Sequence, residues 1–321
     1  MSIVFLGTSE FAAAILARLA RSERHRPALV ITRPDRPAGR GRRLIAPPVA
    51  ERAQQLGIAL SQPERVNDAE TLAMISAAGT QTPGQVAERQ TVIVCAFGAL
   101  IKEPLLSAHE LINVHPSLLP RWRGAAPLER ALMAGDAQTG VAIMRLTAGL
   151  DDGPVCLMAS EEIKPDDDYG ALSERLQELG GELLLRALEE RPPFQAQAQE
   201  GATYAEKITA EDRLLDPARA AIELERVVRA LHPHIGARLE LTDGTLLGVQ
   251  RARLYATNAD ELADPPVDPK AAAQLGLHEH EGRLLLICSA GALELLTVKP
   301  AGGRAMDAPD YLRGHGQPGR R

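Results

Sequence analysis

Aromatic side chains are scarce, at 3% of 321 residues with one tryptophan, Trp122, so the cores must be built from Leu, Ala and Val. Only three cysteines occur, Cys95, Cys156 and Cys288. They lie far apart in apolar runs, which argues for reduced, buried thiols and against disulfides or a metal site, an intracellular pattern. No run approaches the roughly 18 apolar residues of a membrane helix, and no basic leader with an apolar segment opens the chain. A cytoplasmic protein with no membrane partner is expected. Positive charge is not in excess either: the formal net charge is −6, the wrong sign for coating nucleic acid by bulk electrostatics, so any such contact must rest on local patches.

What is present describes an ordinary globular chain, 45% hydrophobic and 24% charged, long enough at about 100 to 200 residues per domain for two domains. Ser2 to Gly7 reads as a buried strand and Phe11 to Ala20 as a helix, a βα opening. Ala28 to Thr32 and Val92 to Phe97 are further apolar strands, separated by helical stretches at Pro48 to Leu56 and Glu70 to Ala78. Strands alternating with helices predict an α/β fold with a doubly wound, mostly parallel sheet. Gly7-Thr8-Ser9-Glu10 lacks the further glycines of a dinucleotide fingerprint, so Gly7 is read as a tight turn. Ala125 to Ala134 reads as a helix, Val141 to Leu146 and Val155 to Ile163 as strands, and Tyr169 to Glu190 as a long helix closing a first domain, 1–190.

Residues 191–207 are Pro/Gln-rich without apolar periodicity, the composition of a linker. Beyond them a helix from Ala218 to Leu231 precedes short apolar runs at Ala237 to Leu241, Thr245 to Val249, Leu284 to Cys288 and Ala292 to Leu296. Gly/Asp turns between these runs predict a small antiparallel barrel, open and OB-like, over 208–310, with a Gly-rich tail at 311–321. Residues 208–321 hold 14 Lys/Arg against 16 Asp/Glu, so this second domain is not basic overall. Arg251, Arg253, Lys299 and Arg304 are candidates for a one-sided patch.

The chain is organised around Leu111 to Gly124. Its apolar opening reads as a strand end in which Asn113 and His115 share one face. Pro116 donates no backbone hydrogen bond and keeps His115 extended, so the strand ends there with the imidazole at the sheet mouth. A lone strand-end histidine is more often a hydrogen-bonded structural group than a catalyst. The Gly149 to Pro154 turn adds Asp151 and Asp152, so an imidazole, a carboxamide and a carboxylate can meet.

Together with Pro34-Asp35-Arg36-Pro37-Ala38-Gly39-Arg40-Gly41, the segment Asn113 to Pro127 and the Asp151 turn resemble the methionyl-tRNA formyltransferases of the folate-dependent formyltransferase family, from Ile3 to about Leu312. The Asn-x-His and Asp-x-Gly-Pro elements name the reaction class and not the acceptor. The resemblance implies a Rossmann-like catalytic domain, 10-formyltetrahydrofolate as formyl donor, no metal, methionyl-initiator tRNA as partner, and a monomer. Formyl transfer to an amine is acyl transfer, which needs oxyanion stabilisation and proton transfer. His115 is expected to stabilise the oxyanion and assist the leaving nitrogen, Asn113 to be a second donor, and Asp151 to orient His115. Ser117, Leu118, Leu119 and Pro120 are expected to line the folate pocket. Phe97 stands where the family commonly has Tyr, which removes a hydroxyl from that pocket. Asp152 is the rival to Asp151.

Arg33 to Arg43 carries five Arg and one Asp broken by prolines and glycines, so it reads as an exposed, mobile loop. A solvated basic loop is one reading. By resemblance it enters the tRNA acceptor stem, with Arg40 nearest the first base pair and Arg36, Arg42 and Arg43 as further contacts. Lys207 is read equally as a surface charge or as a tRNA contact. Residues 79–85 look like an extra loop without assigned function. The alternatives are a formyltransferase acting on an amino-sugar nucleotide or other amine, a formyltetrahydrofolate hydrolase, and a non-catalytic RNA-binding protein.

Overall fold

A computed structural model describes residues 2–38, 43–78, 90–255 and 275–315. It divides into two compact units, one of Met1–Pro127, Gln138–Glu162 and Ser173–Glu206, the other of Leu128–Ala137, Ile163–Leu172 and Lys207–Arg321. In chain order the elements of the first stretch are β1 (Ile3–Gly7), α1 (Glu10–Ala20), β2 (Pro27–Ile31), β3 (Arg36–Ala38), β4 (Arg43–Ile45), α2 (Pro48–Gln55), β5 (Ala59–Ser61), α3 (Ala69–Ala77), β6 (Thr91–Cys95), α4 (Leu105–Ala108), β7 (Glu110–His115), β8 (Arg123–Gly124), α5 (Pro127–Ala134), β9 (Gln138–Arg145), β10 (Val155–Glu162), α6 (Tyr169–Glu190) and β11 (Tyr204–Ala205).

The first unit holds a seven-stranded sheet in the order β10-β9-β7-β6-β1-β2-β5. The five strands from β7 to β5 are parallel, and β9 and β10 add antiparallel to that edge. β1 and β6 are buried along their whole length because helices cover both faces of a parallel sheet, which is why Ile3 to Leu6 and Val92 to Cys95 are continuous apolar runs. The Ser9 hydroxyl caps α1 by accepting from the Ala12 amide. Gly7, read from sequence as a tight turn, is the last residue of β1, and close packing is what requires the glycine: a Cβ there would fall 2.7 Å from the Phe5 ring and 2.8 Å from the Ala12 methyl.

Three features of this unit depart from the sequence expectation. The Arg33 to Arg43 segment is not loop throughout, since β3 and β4 pair antiparallel with Arg36 opposite Ile45 and Ala38 opposite Arg43. An isolated ribbon tolerates Pro37, whose missing amide would break a central strand. Cys156, read as buried, is half-buried. Residues 191–207 are hydrogen-bonded along much of their length: Gln195 and Val155 exchange two backbone bonds of 2.9 Å, and β11 pairs parallel with β8. Composition reports a lack of apolar periodicity there, and says nothing of backbone partners.

The second unit contains α7 (Ala221–Leu231), β12 (Ala237–Glu240), β13 (Leu246–Tyr255), β14 (Gly276–His280), β15 (Arg283–Ile287), β16 (Ala292–Lys299), β17 (Met306–Asp307) and α8 (Ala308–His315). Strands β12-β13-β16-β15-β14 form an antiparallel, curled half-barrel, with β17 on β16 and register shifts in β13 near Arg251. Its core packs Leu224, Val228 and Leu231 of α7 against Leu247, Leu286 and Leu295. The first residues of the predicted tail belong to α8, where Tyr311 is buried. Arg253 of the candidate patch is paired with Glu294 at 2.8 Å, and Arg283 approaches the same carboxylate at 3.7 Å. No helix among the described residues is long and apolar enough to cross a membrane. The segment 79–85 lies outside the described residues.

Candidate active site

The open crevice of such a sheet lies beyond the carboxyl ends of its parallel strands. β7 ends there with Asn113 and His115, two residues apart and therefore on one face, both nearly buried. The His115 Nε2 lies 2.9 Å from the Trp122 carbonyl oxygen. A carbonyl only accepts, so Nε2 carries the proton in this contact and Nδ1 is the nitrogen left to act. That Nδ1 faces Asp151 Oδ2 at 3.7 Å.

The Asp151 carboxylate, not that of Asp152, lies beside His115. Its Oδ2 accepts from the Gly124 amide at 2.9 Å, and its backbone sits in the left-handed region at φ 47°. Asp152 is exposed and accepts from the Thr147 hydroxyl at 2.5 Å. With Nε2 engaged by the Trp122 carbonyl, the His115 nitrogen left facing the Asp151 carboxylate is Nδ1. Sequence alone does not reveal this, because the Trp122 carbonyl comes from a turn whose shape depends on distant partners: the Trp122 amide donates to Thr203 Oγ1 at 2.9 Å and the Arg123 amide to the Thr203 carbonyl at 2.9 Å.

The residues expected to line a pocket after His115 divide into two kinds. Ser117 is wholly buried and donates its hydroxyl to the Arg121 carbonyl at 2.7 Å, and Leu119 packs with Ala142 and Met144, so these two brace the turn. Leu118 and Pro120 are half-buried. Phe97 is buried, while Leu100 in the following loop is 68% exposed. Asn67 fixes that loop, donating to the Leu100 carbonyl and accepting from the Lys102 amide, both at 2.8 Å. A cavity of about 610 Å³ opens beside it, lined among others by Arg33, Arg65, Asn67, Leu100 and Lys102.

Of the basic residues, Arg36 is exposed and lies 3.8 Å from Glu64, Arg43 is exposed at the start of β4, and Lys207 is exposed. Arg40 and Arg42 lie outside the described residues. The base of the β3–β4 ribbon is held by Gln62, which donates to the Arg33 carbonyl at 3.0 Å and to Asp35 Oδ1 at 2.8 Å. Burial pushes the Cys288 thiol up to about 12 and raises Cys95 further still, so neither is a nucleophile near neutral pH. Among the described residues no group of three or more His, Cys, Asp or Glu could hold a metal ion.

Two residues that sequence reasoning passed over belong to this site. Arg123, 2% exposed, donates from Nε and Nη2 to Gln197 Oε1 at 3.0 and 2.8 Å. Gln197 donates in turn to the carbonyls of Asp151 and Gly153 at 2.8 and 2.7 Å. Nothing in a Pro/Gln-rich stretch marks one glutamine above its neighbours.

Residues 1–188 match the family model described as formyl transferase, and residues 207–316 match the formyl transferase C-terminal domain. A methionyl-tRNA formyltransferase of Halorhodospira halophila is 41% identical over 318 residues, covering 97% of this chain and 96% of that protein. One from Dechloromonas aromatica is 38% identical, covering 98% and 96%. Among solved structures, the sugar 3N-formyl transferase WlaRD, described with dTDP and 5-N-formyl-THF, superposes with a TM-score of 0.62 at 14% identity over 92% of this chain and 97% of that one. A methionyl-tRNA formyltransferase from Clostridium thermocellum gives 0.57 at 13% identity, over 79% and 94%, and at such identities these likenesses speak for the fold alone. The chain belongs to the formyl transferase family, in its methionyl-tRNA formyltransferase branch.

Proposed function

We propose that this chain transfers the formyl group of 10-formyltetrahydrofolate to the free amino group of methionyl-initiator tRNA. The observation that carries the reading is the approach of His115 to Asp151, with Asn113 on the same face of β7, in a chain that matches methionyl-tRNA formyltransferases over nearly its full length, second unit included. An amino-sugar acceptor would leave the β3–β4 ribbon with its flanking arginines without a role, and water as acceptor would do the same.

The residues present fit a folate donor. A reduced pteridine is a flat ring needing apolar surface and hydrogen-bonding groups; the buried Phe97, exposed Leu100 and half-buried Leu118 are assigned to the first, and the Asn113 and His115 side chains to the second. The folate supplies a formyl group on nitrogen, activated for acyl transfer. Asn113 is assigned as an amide donor to the carbonyl oxygen on which charge develops. His115 Nδ1 and Asp151 Oδ2 face each other across 3.7 Å, and with Nε2 donating to Trp122 a neutral ring would set two acceptors against each other. That arrangement calls for a donor: an N–H of the attacking amine, or a proton on Nδ1. The pair is thus built to take the proton that the amine sheds and to return one toward the departing nitrogen. Exposed Arg36 and Arg43, with Arg40 and Arg42 between them in sequence and Lys207 further on, are assigned to the tRNA, where the guanidinium fork suits phosphate and base edges.

The experiment is formyl transfer from 10-formyltetrahydrofolate to charged initiator tRNA, with charged elongator methionine tRNA alongside. Formylation of the initiator in strong preference is the expected result. Tetrahydrofolate release with neither tRNA formylated would replace this reading with hydrolysis or a different acceptor.

A further inference from the structure

The Asp151 backbone holds a left-handed conformation, φ 47°, which an L residue keeps where its surroundings impose it. One side chain spans the turn that contains it. Gln197 Nε2 donates to the carbonyls on either side of Asp152, those of Asp151 and Gly153, at 2.8 and 2.7 Å, and so clamps both ends of the turn. A glutamine can present its amide either way round, but here the choice is made for it. Arg123 has only donors, and two of them converge on Gln197 Oε1 at 3.0 and 2.8 Å, which forces the NH₂ group toward the turn.

Arg123 is 2% exposed and has no carboxylate within ion-pair distance among the described residues, its remaining bond being a long one of 3.5 Å to the Ala198 carbonyl. A buried guanidinium held by neutral acceptors is costly to keep and does little for stability that an apolar side chain would not do better. The next residue along, Gly124, binds the Asp151 carboxylate itself through its amide at 2.9 Å. Arg123 and Gly124 therefore act on the same aspartate twice, on its backbone through Gln197 and on its side chain directly.

From this geometry we infer that Gln197, oriented by Arg123, is a positioning residue of the reaction: it sets the Asp151 carboxylate against His115 Nδ1. The inference rests on the catalytic reading of His115 and Asp151 given above. It also gives the segment around Gln197, which lies between the two family matches, a direct part in turnover.

The test uses the full chain and four forms besides the parent: Gln197→Glu, Gln197→Met, Asp151→Asn, and Gln197→Glu combined with Asp151→Asn. Glutamate has the shape of glutamine, gains an ion pair with Arg123, and presents carboxylate oxygens to the two carbonyls where donors stood. Expected is a Gln197→Glu protein that melts no lower than the parent yet turns over about 10- to 100-fold more slowly, with KM for both substrates little changed. Gln197→Met, which removes the donors without adding charge, is expected to lose turnover in the same way. The doubly substituted protein should be no slower than Asp151→Asn alone, because a residue that acts only through Asp151 has nothing left to position. Parent-like turnover of Gln197→Glu and Gln197→Met, or a double variant slower by the product of the single effects, overturns the inference and leaves the catalytic reading standing. Full activity of Asp151→Asn overturns the catalytic reading itself, and the inference with it.

Discussion

His115 Nδ1 and Asp151 Oδ2 stand 3.7 Å apart, beyond hydrogen-bond length, while the ring's other nitrogen is held by the Trp122 carbonyl. The pair is poised for a third group to come between them. Removing the imidazole by His115→Ala should therefore abolish chemistry while sparing the fold, since the hydrogen bond given up is the one to the Trp122 carbonyl. Turnover is expected to fall by about 10² to 10⁴ with an unchanged circular dichroism spectrum and melting temperature within a few degrees. Near-normal turnover would refute the role.

Gly124 is the other half of the Asp151 anchor, and its conformation admits no side chain. Its φ is 122°, and a Cβ would lie 2.7 Å from the Ala205 carbonyl oxygen, which is backbone and cannot swing away. Gly124→Ala should separate β8 from β11 and pull the amide off Asp151. The expected result is a destabilisation of about 1 to 3 kcal/mol by denaturant titration together with a drop in turnover larger than that loss of folded protein explains. Wild-type activity in a destabilised Gly124→Ala protein would show that the 2.9 Å bond to Asp151 is incidental.

How far the site can be read from the sequence depends on how local each signal is. Asn113 and His115 are legible because period-two alternation and a following proline are properties of a few neighbouring residues. β1 and β6 are legible for the same reason, as uninterrupted apolar runs. β14 is not, because Gly276-Leu277-His278-Glu279-His280 is half polar and becomes a strand through its pairing with Arg283 to Ile287. The β3–β4 ribbon hides behind its prolines and glycines, which exclude a central strand but permit an isolated pair. Gln197 is invisible for a stronger reason: its meaning comes from Arg123, 74 positions away, and from Asp151, 46 positions away. Side chains that act through hydrogen bonds across such distances leave no periodicity behind.

The basic ribbon should be separable from the catalytic centre. Arg40→Ala and Arg36→Ala are expected to raise KM for methionyl-tRNA several-fold and to flatten the dependence of log affinity on log salt, the slope falling by about one for every phosphate that a variant no longer neutralises. Binding of 10-formyltetrahydrofolate, followed by fluorescence of Trp122 or by calorimetry, should not change. Equal losses in tRNA and folate binding would mean that the ribbon serves the fold and not the acceptor.

Acid sensitivity of the second unit should centre on Asp212. Arg130 grips it with two bonds, Nη1 to Oδ1 at 2.7 Å and Nη2 to Oδ2 at 2.9 Å, and the Thr209 amide adds a third at 2.8 Å. Chiefly through Arg130, the carboxyl is held down at about 2, against 3.8 for a free aspartate. A carboxyl depressed on folding contributes stability that is complete above the unfolded value and disappears as pH falls through the folded one. The contribution should therefore be full above pH 4 and fade between about pH 4 and pH 2. Arg130→Ala removes the larger part of it, so the variant should be less stable than the parent by about 1 to 3 kcal/mol at pH 7, with the gap narrowing as pH is lowered through that window. Urea titrations of both proteins at pH 7, 4 and 2.5 measure the gap directly. A difference that stays constant across the three would assign the loss to the packing of the Arg130 side chain and not to its charge.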